Sequence, residues 1–434
     1  MVRTLVVKKR DVEHVLGTFI TCADYADEII QEDCDLYAES LDGTISEENI
    51  IFKYRKNVFS QEEMDAAYTG LRDAATESQN RGLAAGPRGE QLGAEGRGNR
   101  DWVSPEQIEI LAFLGRPLNS FDDGTTIETI KESHKKGSKE ETRGQVWLRS
   151  AVLQKYEEYH GWFDKWLAGI HNLSREEQMA EAKHIVENYI SETNYAQSVM
   201  SGIAGYFDRY PRIPYGRATS YTEKNYDKFA LVFPYLRKLN QQFKELLPVR
   251  WGAQNECAQK LDPRFRIDET VFTTLTVNHN WRTACHRDAG DLHEGFSNIC
   301  GITGPEGKGW KGAEFILPEF GIAINLQPGD MLLVNNHGGI HGNDALIGDD
   351  NDRLTLVSYF REKMLDLKAW DYENLRKQYV DERRMNKDHP LHRHLWNGVS
   401  ANMWDEQEWY DYMKKHNIAD PYGKEAAASL DSFF

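Results

Sequence analysis

Four residues past the middle of the chain carry the clearest chemistry: His286, Asp288, His341 and Arg353. His286 and Asp288 are two apart in Cys285-His286-Arg287-Asp288, so an extended backbone turns both side chains to one face. Two imidazoles and one carboxylate on one face suit Fe(II) in an oxygenase and leave three positions open. The second imidazole has to come from another strand. The turn Pro328-Gly329-Asp330 starts one, the apolar run Met331–Val334, and His341 follows it inside Ile340-His341-Gly342. His337 follows the same strand four residues earlier and stands as the alternative ligand. Asn336-His337-Gly338-Gly339 has turn composition, which favours His341. A lone His-x-Asp or a lone histidine is more often structural. The joint order, with Arg353 twelve residues beyond His341, raises the metal interpretation above that.

Arg353 opens the β-branched run Arg353–Tyr359, where a guanidinium can hold the distal carboxylate of 2-oxoglutarate in a bidentate pair. The strand period of two puts Arg353, Thr355, Val357, Tyr359 and Arg361 on one face. Tyr359 and Arg361 are therefore expected to line the same pocket further along.

These residues need a β-rich core to position them, expected over residues 270–361 with strands at 271–277, Met331–Val334 and Arg353–Tyr359. Short β-like runs also occur at residues 4–7 and 50–54. Ser60-Gln61-Glu62-Glu63 is a capping box ahead of Met64, Ala67, Tyr68 and Leu71, and predicts a helix. A second capping box, Ser174 to Glu177, sits in a helical pattern over 101–200. Its aromatic stripe from Tyr156 to Trp166 is explained by core packing at helical spacing. Residues 81–100 hold six glycines among Arg81, Arg88, Arg97 and Arg100 and predict a loop without regular structure. Residues 206–215 read as a Pro- and aromatic-rich connector. Leu236, Leu239, Phe243 and Leu246 trace an amphipathic helix ending near Pro248. Residues 362–434 return to a charged, helix-like pattern, and the tail from 423 is expected to be disordered.

At 434 residues the chain can bury a large core, and 40% hydrophobic with 28% charged residues is ordinary globular composition. Five scattered cysteines make no disulfide framework, which points to a reducing cytoplasm or nucleus. No apolar run approaches a membrane span, and no secretion signal opens the sequence. The net charge of −17 argues against non-specific coating of nucleic acid while leaving local contact through one basic face open.

The stretch Thr276 to Leu292, with residues 330–343 and 353–359, closely resembles the TET/JBP oxygenases, and the JBP thymine hydroxylases in particular. Phe52-Lys53-Tyr54-Arg55, Asn80 to Gly86 and Tyr206 to Tyr215 extend the likeness to about residues 50–365. The resemblance implies an α+β chain with a double-stranded β-helix (jelly-roll, cupin-like) core. It divides the chain into an N-terminal extension, 1–50, a dioxygenase domain, 51–365, and a C-terminal helical extension, 366–434. It implies His286, Asp288 and His341 as ligands of Fe(II), Arg353 as the 2-oxoglutarate anchor, O₂ as co-substrate and ascorbate as a stimulant. It also implies a flipped pyrimidine of DNA as substrate, with no obligate protein partner. Asp291 and Arg361 occupy the positions that face the base in the family. Asp291 accepts hydrogen bonds and Arg361 donates them, which suits thymine slightly better than 5-methylcytosine. His279, Trp281 and Phe296 are candidates for the wall of the base pocket, with core packing the more ordinary role. Hydroxylation of a small molecule or protein side chain, and an inert DNA-binding scaffold, are the rival functions. The intact ligand set argues against inertness.

Overall fold

The strand Arg353–Tyr359 sits near the middle of the fold because both of its faces are buried. Leu354, Leu356 and the following Phe360 pack into an apolar core beneath helices. Arg353, Thr355, Val357 and Tyr359 alternate with them and face a cavity. Each fully buried leucine on the apolar face contributes roughly 1.5–3 kcal/mol.

The structure, a computed structural model, describes residues 2–78, 81–86, 174, 199–209, 213–288, 290–348, 350–386, 406–418 and 422. The described residues fall into two units. The first draws on Met1–Gln107, Ile185–Asp208 and Gly216–Trp370, the second on Ile108–His184, Arg209–Tyr215 and Asp371–Phe434.

In the first unit the N-terminal strands are β1 (Arg3–Val7), β2 (Glu28–Ile30), β3 (Cys34–Ala38), β4 (Ile50–Arg55) and β5 (Glu77–Ser78). After them come β6 (Val199–Arg209), β7 (Ile213–Ala218), β8 (Thr274–His279), β9 (Ser297–Thr303), β10 (Lys311–Gly312) and β11 (Phe315–Leu317). The last are β12 (Ile322–Ile324), β13 (Met331–Val334), β14 (Gly342–Asn343), β15 (Leu346–Ile347) and β16 (Arg353–Tyr359). The major sheet runs β1-β3-β4-β13-β9-β16-β8-β6-β5 with β7 paired to β6, and a smaller sheet runs β14-β11-β12-β2. These two sheets make the double-stranded β-helix core. The helices Gln61–Leu71, Phe233–Leu246 and Pro248–Lys260 contribute to the apolar core that lies under β16.

Several local expectations hold. The capping box forms in both directions: Glu63 N–H donates to Ser60 Oγ at 3.3 Å and Ser60 N–H to Glu63 Oε2 at 2.8 Å. The Pro328-Gly329 turn needs a left-handed residue, and Gly329 has φ +81°. Asp330 then knots the turn, accepting from Tyr54 Oη at 2.5 Å, Gln327 N–H at 3.0 Å and Asn57 N–H at 2.9 Å.

Other expectations need correction. Residues 1–50 are no extension: β1 and β3 lie in the major sheet and β2 pairs with β12. Their short, half-buried strands lack a long alternating signature. The supposed connector at 206–215 is largely strand, β6 and β7, because Pro and aromatics also suit an edge hairpin. Residues 82–85 form a 3₁₀ turn with Ala84 and Ala85 buried, so the glycine-rich stretch begins in ordered structure. The strand expected at 271–277 is Thr274–His279. Pro248 starts a second helix rather than only ending the first. The region 87–173, the second capping box beyond Ser174 and the tail from 423 lie outside the described residues.

In the second unit, Tyr379, Val380, Trp409 and Met413 form a small core between the helices Trp370–Met385 and Glu406–Lys415. Among the described residues no helix is long and apolar enough to cross a membrane.

Candidate metal centre and cavity

His286 and His341 are cross-strand partners. Each donates its backbone N–H to the other's carbonyl at 3.0 Å, which brings the ring centroids to 4.3 Å. The Nδ1 of His286 faces the Ala284 carbonyl at 2.8 Å, and that of His341 faces the Gly339 carbonyl at 3.1 Å. A carbonyl can only accept, so each Nδ1 carries the proton and each Nε2 presents a lone pair. Asp288 closes the set, with carboxylate oxygens 3.5 Å from His286 Nε2 and 3.6 Å from His341 Nε2. Asn336 holds Asp288 twice, through a main-chain bond and through Nδ2 at 3.1 Å. All three ligating atoms lie within 4.8 Å of one another. Two neutral imidazole nitrogens and a carboxylate are the donors Fe(II) takes, so the residues fit that ion.

His337 is not part of this cluster. Its ring packs edge-on against His293 at 5.1 Å, as its place in the turn after β13 dictates.

The electrostatics follow burial and charge. Burial, with His286 alongside, pulls His341 down to about 4. His286 is also buried, yet the Asp288 carboxylate raises it above the ordinary histidine range. Asp288 is held at about 2 against its own burial, by both histidines.

The cavity beside this cluster encloses about 450 Å³. Thr276, Asn278, Ile299 and the outward face of β16 line one wall, and Phe315, His341 and Asn343 line the opposite one. Arg353 is 3% exposed, and its Nη1 reaches only the Trp281 carbonyl, at 3.4 Å. Among the described residues its Nε has no hydrogen-bond partner, nor do Thr355 Oγ1, Trp281 Nε1 and Trp310 Nε1. Among the described residues no carboxylate is ion-paired to Arg353. Burial pulls the guanidinium to about 10, so it stays charged at neutral pH. A buried unpaired cation beside idle donors is costly, and a dianion such as 2-oxoglutarate satisfies it.

At the other end, Asp291 and Arg361 face each other as an isolated antiparallel bridge. Ser297 Oγ donates to Asp291, and Arg361 Nε donates to Asp208 Oδ1 at 2.5 Å. Burial and the nearby Asp288 charge push Asp291 well above the carboxylate range. In its neutral form Asp291 offers a donor as well as an acceptor, which modifies the acceptor-only expectation. Of the three wall candidates only Trp281 lines the cavity. Phe296 belongs to the helix-covered core, and His279 bonds Asp352 at 2.9 Å.

Sequence reasoning missed Arg81, Asp208 and Asn336. Arg81 lines the cavity, its Nε is buried without a partner, and burial lowers its guanidinium. The Asn80-Arg81-Gly82 run was its only local signal. Nothing near Asp208 in the sequence pointed to Arg361.

Residues 202–362 match the Tet_JBP family, described as the oxygenase domain of the 2OGFeDO superfamily. A thymine dioxygenase JBP1 from Leishmania tarentolae is 35% identical over 212 residues, covering 47% of this chain and 24% of that protein. A thymine dioxygenase JBP1-B from Trypanosoma cruzi (strain CL Brener) is 37% identical over 168 residues, covering 37% of this chain and 19% of that protein. The chain thus spans a quarter or less of the length of these relatives. Among solved structures, NgTET1 in complex with 5mC DNA overlays 41% of this chain and 69% of that one, at 13% identity and a TM-score of 0.31.

Proposed function

We propose, for a chain whose residues 202–362 form an oxygenase domain of the TET/JBP family, that it hydroxylates the 5-methyl group of thymine in DNA, giving 5-hydroxymethyluracil. One arrangement carries this reading: the His286–Asp288–His341 donors, the unpaired Arg353 guanidinium and the Asp291–Arg361 pair all open on one cavity. His286, Asp288 and His341 would hold Fe(II). Arg353 would hold the far carboxylate of 2-oxoglutarate, with the Thr355 hydroxyl beside it. Bound there, iron with 2-oxoglutarate and O₂ would supply the oxidant for the C–H bonds of the 5-methyl group, with ascorbate as a stimulant.

The chain's own residues do the rest. Phe315 stacks on the His341 ring at 5.3 Å and limits water at the ligand. A base in a duplex must leave the stack to enter, so the cavity takes one flipped nucleotide. Arg361 then donates to a pyrimidine carbonyl, and Asp291 meets N3–H. Thymine offers that pattern, and the thymine dioxygenase relatives at 35–37% identity support it over 5-methylcytosine. Oxidation of 5-methylcytosine is the second reading, because a neutral Asp291 also matches a ring with N3 as acceptor.

The test is incubation with unmodified and with 5-methylcytosine DNA, Fe(II) and 2-oxoglutarate, followed by nucleoside mass spectrometry. 5-Hydroxymethyluracil should form and vanish in the His286→Ala/Asp288→Ala protein. Oxidation confined to 5-methylcytosine would sink the thymine assignment.

A further inference from the structure

Glu319 follows β11 and is 2% exposed. A carboxylate buried that deeply needs partners, and its partners are the segments that carry the metal ligands. Oε2 accepts the backbone N–H of Ile340 at 2.8 Å. Oε1 lies 3.0 Å from Lys9 Nζ and 3.4 Å from Arg287 Nη2. Ile340 directly precedes His341, and Arg287 stands between His286 and Asp288. Gly339, whose carbonyl orients His341, lies within van der Waals range of the same carboxylate: a Cβ there would be 3.7 Å from Glu319 Oε2.

The same residue ties in the N-terminal segment, through its carboxylate to Lys9 and through its backbone carbonyl to Arg10. Arg10 N–H donates to the Glu319 carbonyl at 2.7 Å. Arg287 Nη1 reaches Glu13 Oε2 at 3.0 Å. Gly17 N–H donates to the Cys285 carbonyl at 2.8 Å, and Cys285 N–H to the Thr18 carbonyl at 2.9 Å, one residue before His286. Val12, Val15 and Ile20 fill the apolar space against Cys285 and Ile340.

We propose that Glu319 is a positioning residue for the metal centre: one carboxylate clamps the two ligand-bearing segments and the N-terminal brace, and so sets metal affinity. This rests on the metal-centre reading above. The backbone pair fixes how far apart His286 and His341 stand. Ring direction depends instead on the Ala284 and Gly339 carbonyls, whose segments Glu319 and residues 9–18 hold. Glutamine at 319 keeps an acceptor for Ile340 but turns an NH₂ toward Lys9 and Arg287, which then lose their buried counter-charge.

The experiment measures Mn(II) binding to the full chain without oxygen, by electron paramagnetic resonance, together with the melting temperature in EDTA. Glu319→Gln should raise the Mn(II) Kd about 10–100-fold, the range for partners that orient ligands. Lys9→Met and Glu13→Gln alter half-exposed side chains, so both proteins should fold, and together they should raise Kd several-fold. A folded Glu319→Gln protein with unchanged Kd, even with a lower melting temperature, overturns the proposal. If that variant does not fold, an unchanged Kd in the Lys9→Met/Glu13→Gln protein overturns it. Unmutated protein that binds no Mn(II), or His286→Ala protein that binds as well as it does, would sink the metal-centre reading itself.

Discussion

At the Arg353 end of β16 the ladder is continuous. Arg353 opposes Thr303 of β9, and its backbone bonds Asn280 at both N–H and carbonyl. At the Arg361 end regular pairing has stopped: β8 pairs as far as Tyr359 and β9 only to Ser358. Arg361 is held by an isolated bridge to Asp291, by its N–H to Thr273 Oγ1 at 2.9 Å and by Asp208, 153 residues earlier in the chain. The end proposed for the cofactor is thus set within the sheet, while the end proposed for the substrate is assembled from side chains that arrive from distant segments. A residue fixed by its own strand can be replaced only at large cost. A residue fixed by remote partners is tunable, and specificity is expected to reside there.

The largest effect should fall on the rigid end. Arg353→Ala removes a buried cation that no carboxylate among the described residues balances, so its loss should be felt mainly by 2-oxoglutarate. The KM for 2-oxoglutarate should rise about 10–100-fold, the weight of charge-assisted hydrogen bonds, with the KM for DNA unchanged. Arg353→Lys should recover only part, because an ammonium cannot match a carboxylate bidentately. Equal increases in both KM values would show that the two ends are not separable.

Asp208→Asn should act at the other end and more weakly. It removes the counter-charge that aims Arg361 while leaving β6 paired to β8. The KM for thymine DNA should rise about tenfold, as for a weakened hydrogen bond to a charged group. The KM for 2-oxoglutarate should hold, and the ratio of thymine to 5-methylcytosine turnover should fall. An unchanged ratio would mean that Arg361 does not read the base.

The contrast also explains what was legible. The strand bearing Arg353 could be read to its last residue, because period-two alternation and the twelve-residue spacing from His341 are local facts. The capping box at Ser60 was legible for the same reason. Asp208 was not, since an acidic residue within an aromatic run gives no sign of a partner 153 positions away. Glu319 was hidden likewise, its role resting on Lys9, Arg287 and Ile340 from three separate segments. The turn composition of residues 336–339 already favoured His341 over His337, because it too is a local fact, and the geometry after β13 places His341 in the cluster and His337 against His293. Of the N-terminal strands, β1 and β4 were legible as the runs at 4–7 and 50–54, whereas β2 and β3 were hidden because three to five residues without clean alternation carry too little periodicity.

Proton linkage gives an effect on stability rather than on KM, and it should have opposite sign at His341 and at Asp291. In metal-free protein His341 stays neutral down to about 4, whereas in the unfolded chain it protonates near 6.5. Between those values the unfolded state holds more protons, so stability falls as pH drops through that window, by at most roughly 3 kcal/mol. Asp291 behaves the other way. Its native carboxyl stays protonated well above the unfolded carboxylate range, so the native state holds the extra proton and stability rises as pH falls toward about 4. Urea unfolding of metal-free His341→Gln and Asp291→Asn proteins from pH 7 to 4 isolates each contribution. Relative to the unmutated chain, His341→Gln should gain stability as the pH is lowered and Asp291→Asn should lose its advantage. Parallel slopes in the two variants would mean that the Asp288 charge couples both ends into one titrating unit, and the division of the cavity drawn from β16 would fail.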